Sequence, residues 1–483
     1  MKRKFITNLA LVIFLNLLIK PFWVFGVDRT VQNTVGAEIY GFYFSLLSFS
    51  LMLNILLDAG ITNFNNRRIA RTPSLLRQYF SNIIILKLIF ACIYSLVCLS
   101  GGLIIGYDSV QFSLLIVLII NQFLASLILY LRSNISGLHL FRTDSLLSVL
   151  DRSLAILFCS LLLWGNISDE PFRIEWYVYC QTLAYLITVL VILAIVLSKT
   201  SFSRLEIRSE NMRNILRYSY PFAVLVLLMS FYYRIDSVML ERLLPEGKQQ
   251  AGIYAQSFRI LDAAGMFAFL FSGLLLPIFS RMLKKKEPVG GMVHLSYTLI
   301  FIPAILLAFM SLFYSNEIID WLYNEHIASS SRIFPLLMFG FIAISTTYIF
   351  GTLLTANGNL KELNVLALST VILNVLLNLL FIPRLQAYGA ALSSLITQSY
   401  MAIFQVILSA RKLHLHINYP YLFLLLLYSG ITFLSGWLFK EYIGNWLISA
   451  LLFSASGILI AFMIRLLKFR NLFILFFSAE EEK

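Results

Sequence analysis

Five basic side chains stand inside stretches that are otherwise apolar: Lys20, Lys87, Arg152, Arg234 and Arg259. A cation placed so is costly unless it pairs with an acid, bonds carbonyl oxygens or faces water, and such residues mark the paths of substrates and ions. Lys20 lies eight residues before Asp28, about 12 Å along a helix that rises 1.5 Å per residue. Its own run offers no acid at that depth, so it is read as facing a cavity, and the adjoining Pro21 bends the run there. Arg234 and Asp236 lie at similar depth in one run, and Arg259 and Asp262 in the next. A hairpin turn near 245–248 brings Asp236 level with Arg259 and Arg234 level with Asp262. Residues two apart on a helix point nearly opposite ways, whereas residues three apart share a face. Asp236 with Arg259 is therefore the preferred structural ion pair, Asp262 is the second acid at that level, and Arg234 is the cation turned to a cavity. The plainer alternative is mutual neutralisation of all four. Lys87 has no obvious local partner, and a cavity position and snorkelling toward the interface stay open for it. Asp58 is read as topping its helix beside Ala59-Gly60, and Asp151 and Arg152 as anchoring theirs.

The surrounding composition explains why these charges are exceptional. Of 483 residues, 59% are hydrophobic and only 13% charged, with a mean hydropathy of +0.84. An ordinary soluble domain carries about 25% charged residues. This excludes a water-soluble enzyme, a disordered chain and a nucleic-acid binder, despite the net charge of +13. Polar clusters, Gly/Pro turns and charge runs cut the chain into fourteen apolar segments, each near the roughly 20 residues that cross a bilayer. They are 6–27, 37–60, 79–104, 111–131, 146–165, 175–197, 218–244, 251–280, 292–314, 332–356, 362–382, 389–410, 419–440 and 444–464. The fold class is thus all-α, a polytopic membrane protein. Met1-Lys2-Arg3-Lys4 resembles the start of a signal peptide, but the segment continues through Lys20-Pro21 and is read as a retained span.

Charge asymmetry sets the orientation. Alternate connecting segments hold 25 Lys and Arg against seven on the other side, which places both termini in the cytoplasm. Internal repetition sets the organisation. Gly36-Ala37-Glu38-Ile39-Tyr40-Gly41 resembles Gln250-Ala251-Gly252-Ile253-Tyr254-Ala255, an offset of 214 that carries the first six spans onto the next six. It also places Lys20 on Arg234. The expected units are a six-helix bundle over 1–197, a cytoplasmic linker over 198–217, a second six-helix bundle over 218–410, and two extra helices with an interfacial tail over 411–483. Two such bundles enclose a cavity, the geometry of alternating access. The tail from Lys468 is too short to span and reads as an interfacial amphipathic helix. The aromatics Phe231, Tyr232 and Tyr233 are assigned to packing rather than to a sugar platform. No cofactor or metal is expected: five scattered histidines form no ligand set, the four cysteines read as buried thiols, and no phosphate-binding loop or nucleophile elbow is present.

Several stretches resemble a known family. They are Val35-Gly36-Ala37-Glu38-Ile39-Tyr40-Gly41, Leu57-Asp58-Ala59-Gly60-Ile61, Arg67-Arg68-Ile69-Ala70-Arg71 and Tyr218-Ser219-Tyr220-Pro221. The resemblance is most specific at Tyr233-Arg234-Ile235-Asp236-Ser237-Val238-Met239-Leu240, Gly252-Ile253-Tyr254-Ala255 and Phe258-Arg259-Ile260. These are similar to Wzx-type polysaccharide biosynthesis flippases of the multidrug/oligosaccharidyl-lipid/polysaccharide exporter superfamily. The resemblance implies translocation of an undecaprenyl-diphosphate-linked oligosaccharide, such as an O-antigen repeat unit, across the bacterial inner membrane. It further implies as partners the lipid bilayer and glycan polymerase machinery, with H+ or Na+ coupling open.

A diphosphate crossing hydrocarbon needs compensating cations, and Lys20, Arg234, Arg259 and Lys87 are the residues assigned to it. A cation-coupled multidrug or metabolite exporter is the alternative within the superfamily, but it is expected to place acids where span one offers Lys20. A membrane glycan polymerase or ligase, hence an enzyme, is expected to need a large outer loop, whereas the outer loops here are short. Replacing Lys20 or Arg234 by Ala is expected to abolish surface-glycan complementation at normal protein levels, and full activity in both variants counts against the assignment.

Overall fold

The computed structural model describes residues 15–16, 18–72, 74–165, 169–200, 209–415 and 418–467. The chain start before residue 15 and the tail from Lys468 lie outside the described residues. Among those described, regular structure is entirely helical. Eleven helices among the described residues are long and apolar enough to cross a membrane. One of them, Leu360–Leu413, is two helices meeting at Gln386, whose φ of 54° and ψ of −135° break the backbone just after Pro383. Counting that division, together with the first helix and the helix over Ala37–Met52, matches the fourteen spans read from the sequence.

Contacts divide the chain into two compact units, Met1–Ala255 and Gln256–Lys483. In the first, α1 is helical before Pro21, passes through a π-helical segment Phe22–Asp28, and continues as Arg29–Val35. Proline has no N–H to give to the helix, so irregular winding beside Pro21 is physically reasonable. There follow α2 (Ala37–Met52), a 3-10 turn Asn54–Leu57, α3 (Ile61–Arg71), α4 (Leu75–Ile105), α5 (Ser109–Gly137), α6 (Phe141–Trp164), α7 (Ile174–Leu197) and α8 (Ser209–Leu243). α8 begins at Ser209, within the expected linker over 198–217. The helix α9 (Gly247–Lys284) starts in the first unit and ends in the second. The second unit continues with α10 (Gly290–Phe313), the short α11 (Ser315–Leu322), α12 (Ile327–Ala356), α13 (Leu360–Leu413), α14 (Tyr419–Tyr442) and α15 (Trp446–Met463).

The outer surface differs from a soluble protein's. Long apolar side chains point outward, with Ile104 87% and Met463 81% exposed, as hydrocarbon requires. Cys92 shares that outward position, while Cys98, Cys159 and Cys180 are buried. Polar groups are tucked between helices. Asn374 and Asn378 are buried in α13, where Asn378 donates to Asn374 at 3.2 Å and Asn374 to the Thr397 hydroxyl at 3.4 Å. With no water in hydrocarbon to satisfy them, such groups act as glue between helices. Apolar cores complete each unit: Ile69, Phe80, Ile128 and Ile192 in the first, and Ile305, Phe309, Leu425 and Phe453 in the second.

Within the first unit, two contacts hold the end of α8 and the start of α9. α2 packs along α8, and the start of α2 meets the start of α9 backbone to backbone: a Cβ on Gly41 would stand 1.9 Å from the Lys248 carbonyl oxygen, and one on Gly252 1.8 Å from that of Ala37. The Gln32 amide donates to the Gly252 carbonyl at 3.2 Å beside this crossing. The end of α8 is clamped to the α4–α5 turn. Gln111 donates to Glu241 at 2.9 Å, and the Arg242 guanidinium reaches Gln111 at 2.6 Å and lies 4.5 Å over the Tyr107 ring. Burial, reinforced by the Glu241 carboxylate, pushes the Tyr107 phenol above its ordinary range, so the ring stays neutral under the guanidinium.

Gly252→Ala is expected to lower the thermal unfolding midpoint of the purified protein by an amount equivalent to about 1–3 kcal/mol of overpacking. Gly273→Ala is the control, because its added Cβ meets nothing within 4 Å and only helix propensity changes. Equal midpoints for the two variants would contradict the close crossing.

Candidate functional site in the first unit

Two helices present cations in register. On α6, Asp144, Ser148 and Arg152 recur every four residues and so share one face, and on α1 Asn16 and Lys20 do the same. The Asn16 amide donates to the Ser148 hydroxyl at 3.2 Å, which fixes the alignment. One turn further along both helices stand Lys20 and Arg152. The Arg152 guanidinium lies 5.3 Å over the Trp23 ring and 5.7 Å over that of Tyr185, with the Asp151 carboxylate 3.9 Å away. Lys20 is half-buried, and its charge interacts with those of Arg152, Asp151 and Arg132. Arg132, on α5, holds Asp144 at 2.9 Å, about 12 Å from Arg152 by the eight residues between them on α6.

The cluster therefore holds three cations and two carboxylates. Asp144 is bound closely by Arg132, so the deeper level, with Lys20 and Arg152 against a loosely placed Asp151, carries the excess positive charge. Like charges at one level in a low-dielectric setting repel, and an oxyanion between them relieves that repulsion. A guanidinium offers paired N–H groups to phosphate, and an ammonium adds a point charge.

An aromatic and acidic wall continues from the cluster. Tyr177 stacks on Trp23 with centroids 5.5 Å apart and meets Tyr43 edge-on at the same distance. Its hydroxyl donates to Asp28 at 2.5 Å, and the Tyr40 hydroxyl donates to the same carboxylate at 2.8 Å. Asp28 is only 2% exposed, although in the sequence it merely marks the end of the first span.

The other residues singled out from the sequence are placed as follows. Arg234, half-buried on α8, lies 5.2 Å over the ring of Tyr233, so that aromatic partners the arginine. Asp236 is buried and accepts the Tyr254 hydroxyl at 3.1 Å. Arg259 lies 3.8 Å from Asp262 on one helix. The i,i+3 spacing puts the two on one face. Lys87, for which its own run offers no obvious partner, is fully occupied: its ammonium meets Asp58 at 2.5 Å, Ser126 at 2.8 Å and the Leu57 carbonyl at 3.0 Å. Asp58 does top a helix, accepting from the Gly60 and Thr62 N–H groups at 3.2 and 3.3 Å. Among the described residues, no group of three His, Cys, Asp or Glu side chains is placed to hold a metal ion.

Sequence reasoning missed Arg152 as a partner of Lys20, and it missed Arg132, Asp28 and Tyr177. A signal was present in the matching four-residue steps Asn16–Lys20 and Ser148–Arg152. Nothing in the sequence showed that these two spans are neighbours.

Residues 9–283 match the family model described as polysaccharide biosynthesis protein. The chain is 25% identical over 181 residues to the capsular polysaccharide biosynthesis protein CapF of Staphylococcus aureus. That stretch is 37% of this chain and 45% of the relative, so the chain spans under half the length of the curated protein it matches. The fold is similar to that of the lipid II flippase MurJ in an inward closed conformation, with a TM-score of 0.71 at 14% identity, covering 96% of this chain and 99% of that one. It is also similar to an inward-facing multidrug resistance MATE family transporter of the MOP superfamily, with a TM-score of 0.62 at 16% identity over 81% and 94% of the two chains. At such identities the likeness is one of fold.

If the deeper level receives an oxyanion, inorganic diphosphate should raise the thermal midpoint of the solubilised protein. Lys20→Gln and Arg152→Gln should each weaken that binding about tenfold, roughly 1.4 kcal/mol. Arg132→Gln should weaken it less, because Asp144 already engages Arg132. Unchanged affinity in Arg152→Gln counts against the site.

Proposed function

Since this chain belongs to the polysaccharide biosynthesis protein family, we propose that it translocates an oligosaccharide linked to a polyprenyl diphosphate, such as undecaprenyl diphosphate, across the bacterial inner membrane. It is a multi-pass membrane transporter of the flippase type rather than an enzyme. The observation that carries the substrate reading is the level formed by Lys20 and Arg152, with its excess of cations over carboxylates. A diphosphate needs such compensation on its way through hydrocarbon, and a polyprenyl tail needs none because it can stay in lipid. Arg234 and Arg259 extend the cationic set in this reading, whereas Lys87 leaves it because its three donors are taken.

In the proposed cycle, two six-helix bundles alternate access, with both chain termini on the cytoplasmic side. The basic connecting segments on that side draw the diphosphate to the membrane. Arg132 with Asp144 meets it at the end of the bundle, and Lys20 with Arg152 about two helical turns deeper. The repeat unit is an O-antigen or capsule type of glycan, and polymerase machinery receives it on the far side. The printed names of the capsular relative and of the lipid II flippase support this direction of reading.

One observation favours a second reading, a cation-coupled exporter of small molecules. Asp28 is a buried carboxylate on the first helix that accepts two tyrosine hydroxyls, and an acid within a span is what cation coupling requires. Fold likeness does not separate the two readings, because a multidrug transporter shares the fold.

The discriminating measurement is leaflet transfer of a fluorescent diphosphate-linked oligosaccharide in proteoliposomes, with and without ion gradients. Wild type is expected to transfer it, and Lys20→Gln and Arg152→Gln to lose at least about 90% of the rate, since a tenfold loss corresponds to only 1.4 kcal/mol. Absence of transfer by folded wild type, alongside extrusion of cationic drugs, overturns the proposal in favour of the exporter.

A further inference from the structure

The second span is broken at depth, and the break is filled by a lysine from another helix. After Met52 the chain tightens into the 3-10 turn Asn54–Leu57, and then Ala59 and Gly60 take positive φ values of 43° and 86° before α3 begins. The Ile61 N–H closes on the Asp58 carbonyl at 2.9 Å, so the Leu57 carbonyl is left to side chains. It accepts the Lys87 ammonium at 3.0 Å and the Ser126 hydroxyl at 3.2 Å. Lys87 is 1% exposed, and its three N–H groups meet three oxygens: the Leu57 carbonyl, the Asp58 carboxylate at 2.5 Å and the Ser126 hydroxyl at 2.8 Å.

A carbonyl freed by an interrupted helix, a carboxylate and a hydroxyl converging on one point form the donor set with which membrane transporters hold small cations. Here the cation at that point is part of the chain. We propose that this is an alkali-metal type of cation site whose occupant is the Lys87 ammonium, a tethered counter-ion that neutralises Asp58 and holds the broken second span to α4 and α5. The neighbouring turns support a fixed joint. Asn54 donates to Gln122 at 2.7 Å on one side, and Asn65 donates to Ser133 and Asn134 at 2.8 Å on the other. The first unit therefore takes no cation from solution at this break, whatever the transported substrate is.

The test compares thermal midpoints of the purified full-length protein in sodium chloride and in choline chloride at equal ionic strength. Wild type is expected to unfold at the same temperature in both. Lys87→Ala leaves the Asp58 carboxylate unmatched and is expected to unfold earlier in choline. Sodium should then restore it by at least about 4 °C in a saturable manner, as ligand linkage requires. Adding Asp58→Asn should remove the sodium response. Lys87→Gln, which keeps hydrogen-bond donors at the break, serves where Lys87→Ala is too unstable to purify, and the same sodium-specific rise is expected. A folded Lys87→Ala or Lys87→Gln protein with identical midpoints in both salts overturns the proposal. A saturable sodium response in wild type that Asp58→Asn abolishes does so too, because the site then takes a free ion with Lys87 in place.

Discussion

A charge surrounded by hydrocarbon has to be met by another group within a few ångströms, and the first unit of this protein is arranged around that requirement. Lys87 meets it completely, with three oxygens for three N–H groups. Asp28 meets it with two phenol hydroxyls, and Arg132 with Asp144. Lys20 and Arg152 meet it least, since they stand level with each other and share one loosely placed carboxylate. The gradation separates groups whose charge is met inside the protein from the level that the proposal assigns to an anion arriving from outside.

Irregular backbone supplies much of the means. The π-helical segment that follows Pro21 carries Trp23, which the Arg152 guanidinium covers, and ends on Asp28. The 3-10 break in the second span frees the carbonyl that Lys87 occupies. In hydrocarbon a backbone group released from its helix must find a partner inside the protein, so each irregularity is tied to a particular polar side chain. Where no irregularity is needed, contact comes through small residues and polar glue, as at Gly41 against Gly252 and at Asn374 with Asn378.

Much of the fold was legible in the sequence, because the bilayer imposes one length and one composition on every span. The fourteen apolar segments were recoverable for that reason, including 362–382 and 389–410, the pair that the structure joins into Leu360–Leu413. The candidate site was legible only in part. Lys20 stood out because a lysine in an apolar run is anomalous. Arg152 beside Asp151 looked self-sufficient, and Lys87 looked solitary because its partners Asp58 and Ser126 come from other spans. The approach of Arg259 to Asp262 was legible too, because a spacing of three puts both on one helix face.

By itself, the sequence determined which segments cross the membrane, how many cations they carry and how deep each cation lies. Those properties follow from local hydropathy and from a rise of 1.5 Å per residue, and neither depends on neighbours. Tertiary structure decided which cations are neutralised, because that depends on which helices touch and in what register. The placement of α6 beside α1, aligned by Asn16 and Ser148, brought Arg152 to Lys20, and the placement of α4 beside the broken second span brought Lys87 to Asp58. Pairing falls off over a few ångströms, a distance that helix packing sets and composition does not.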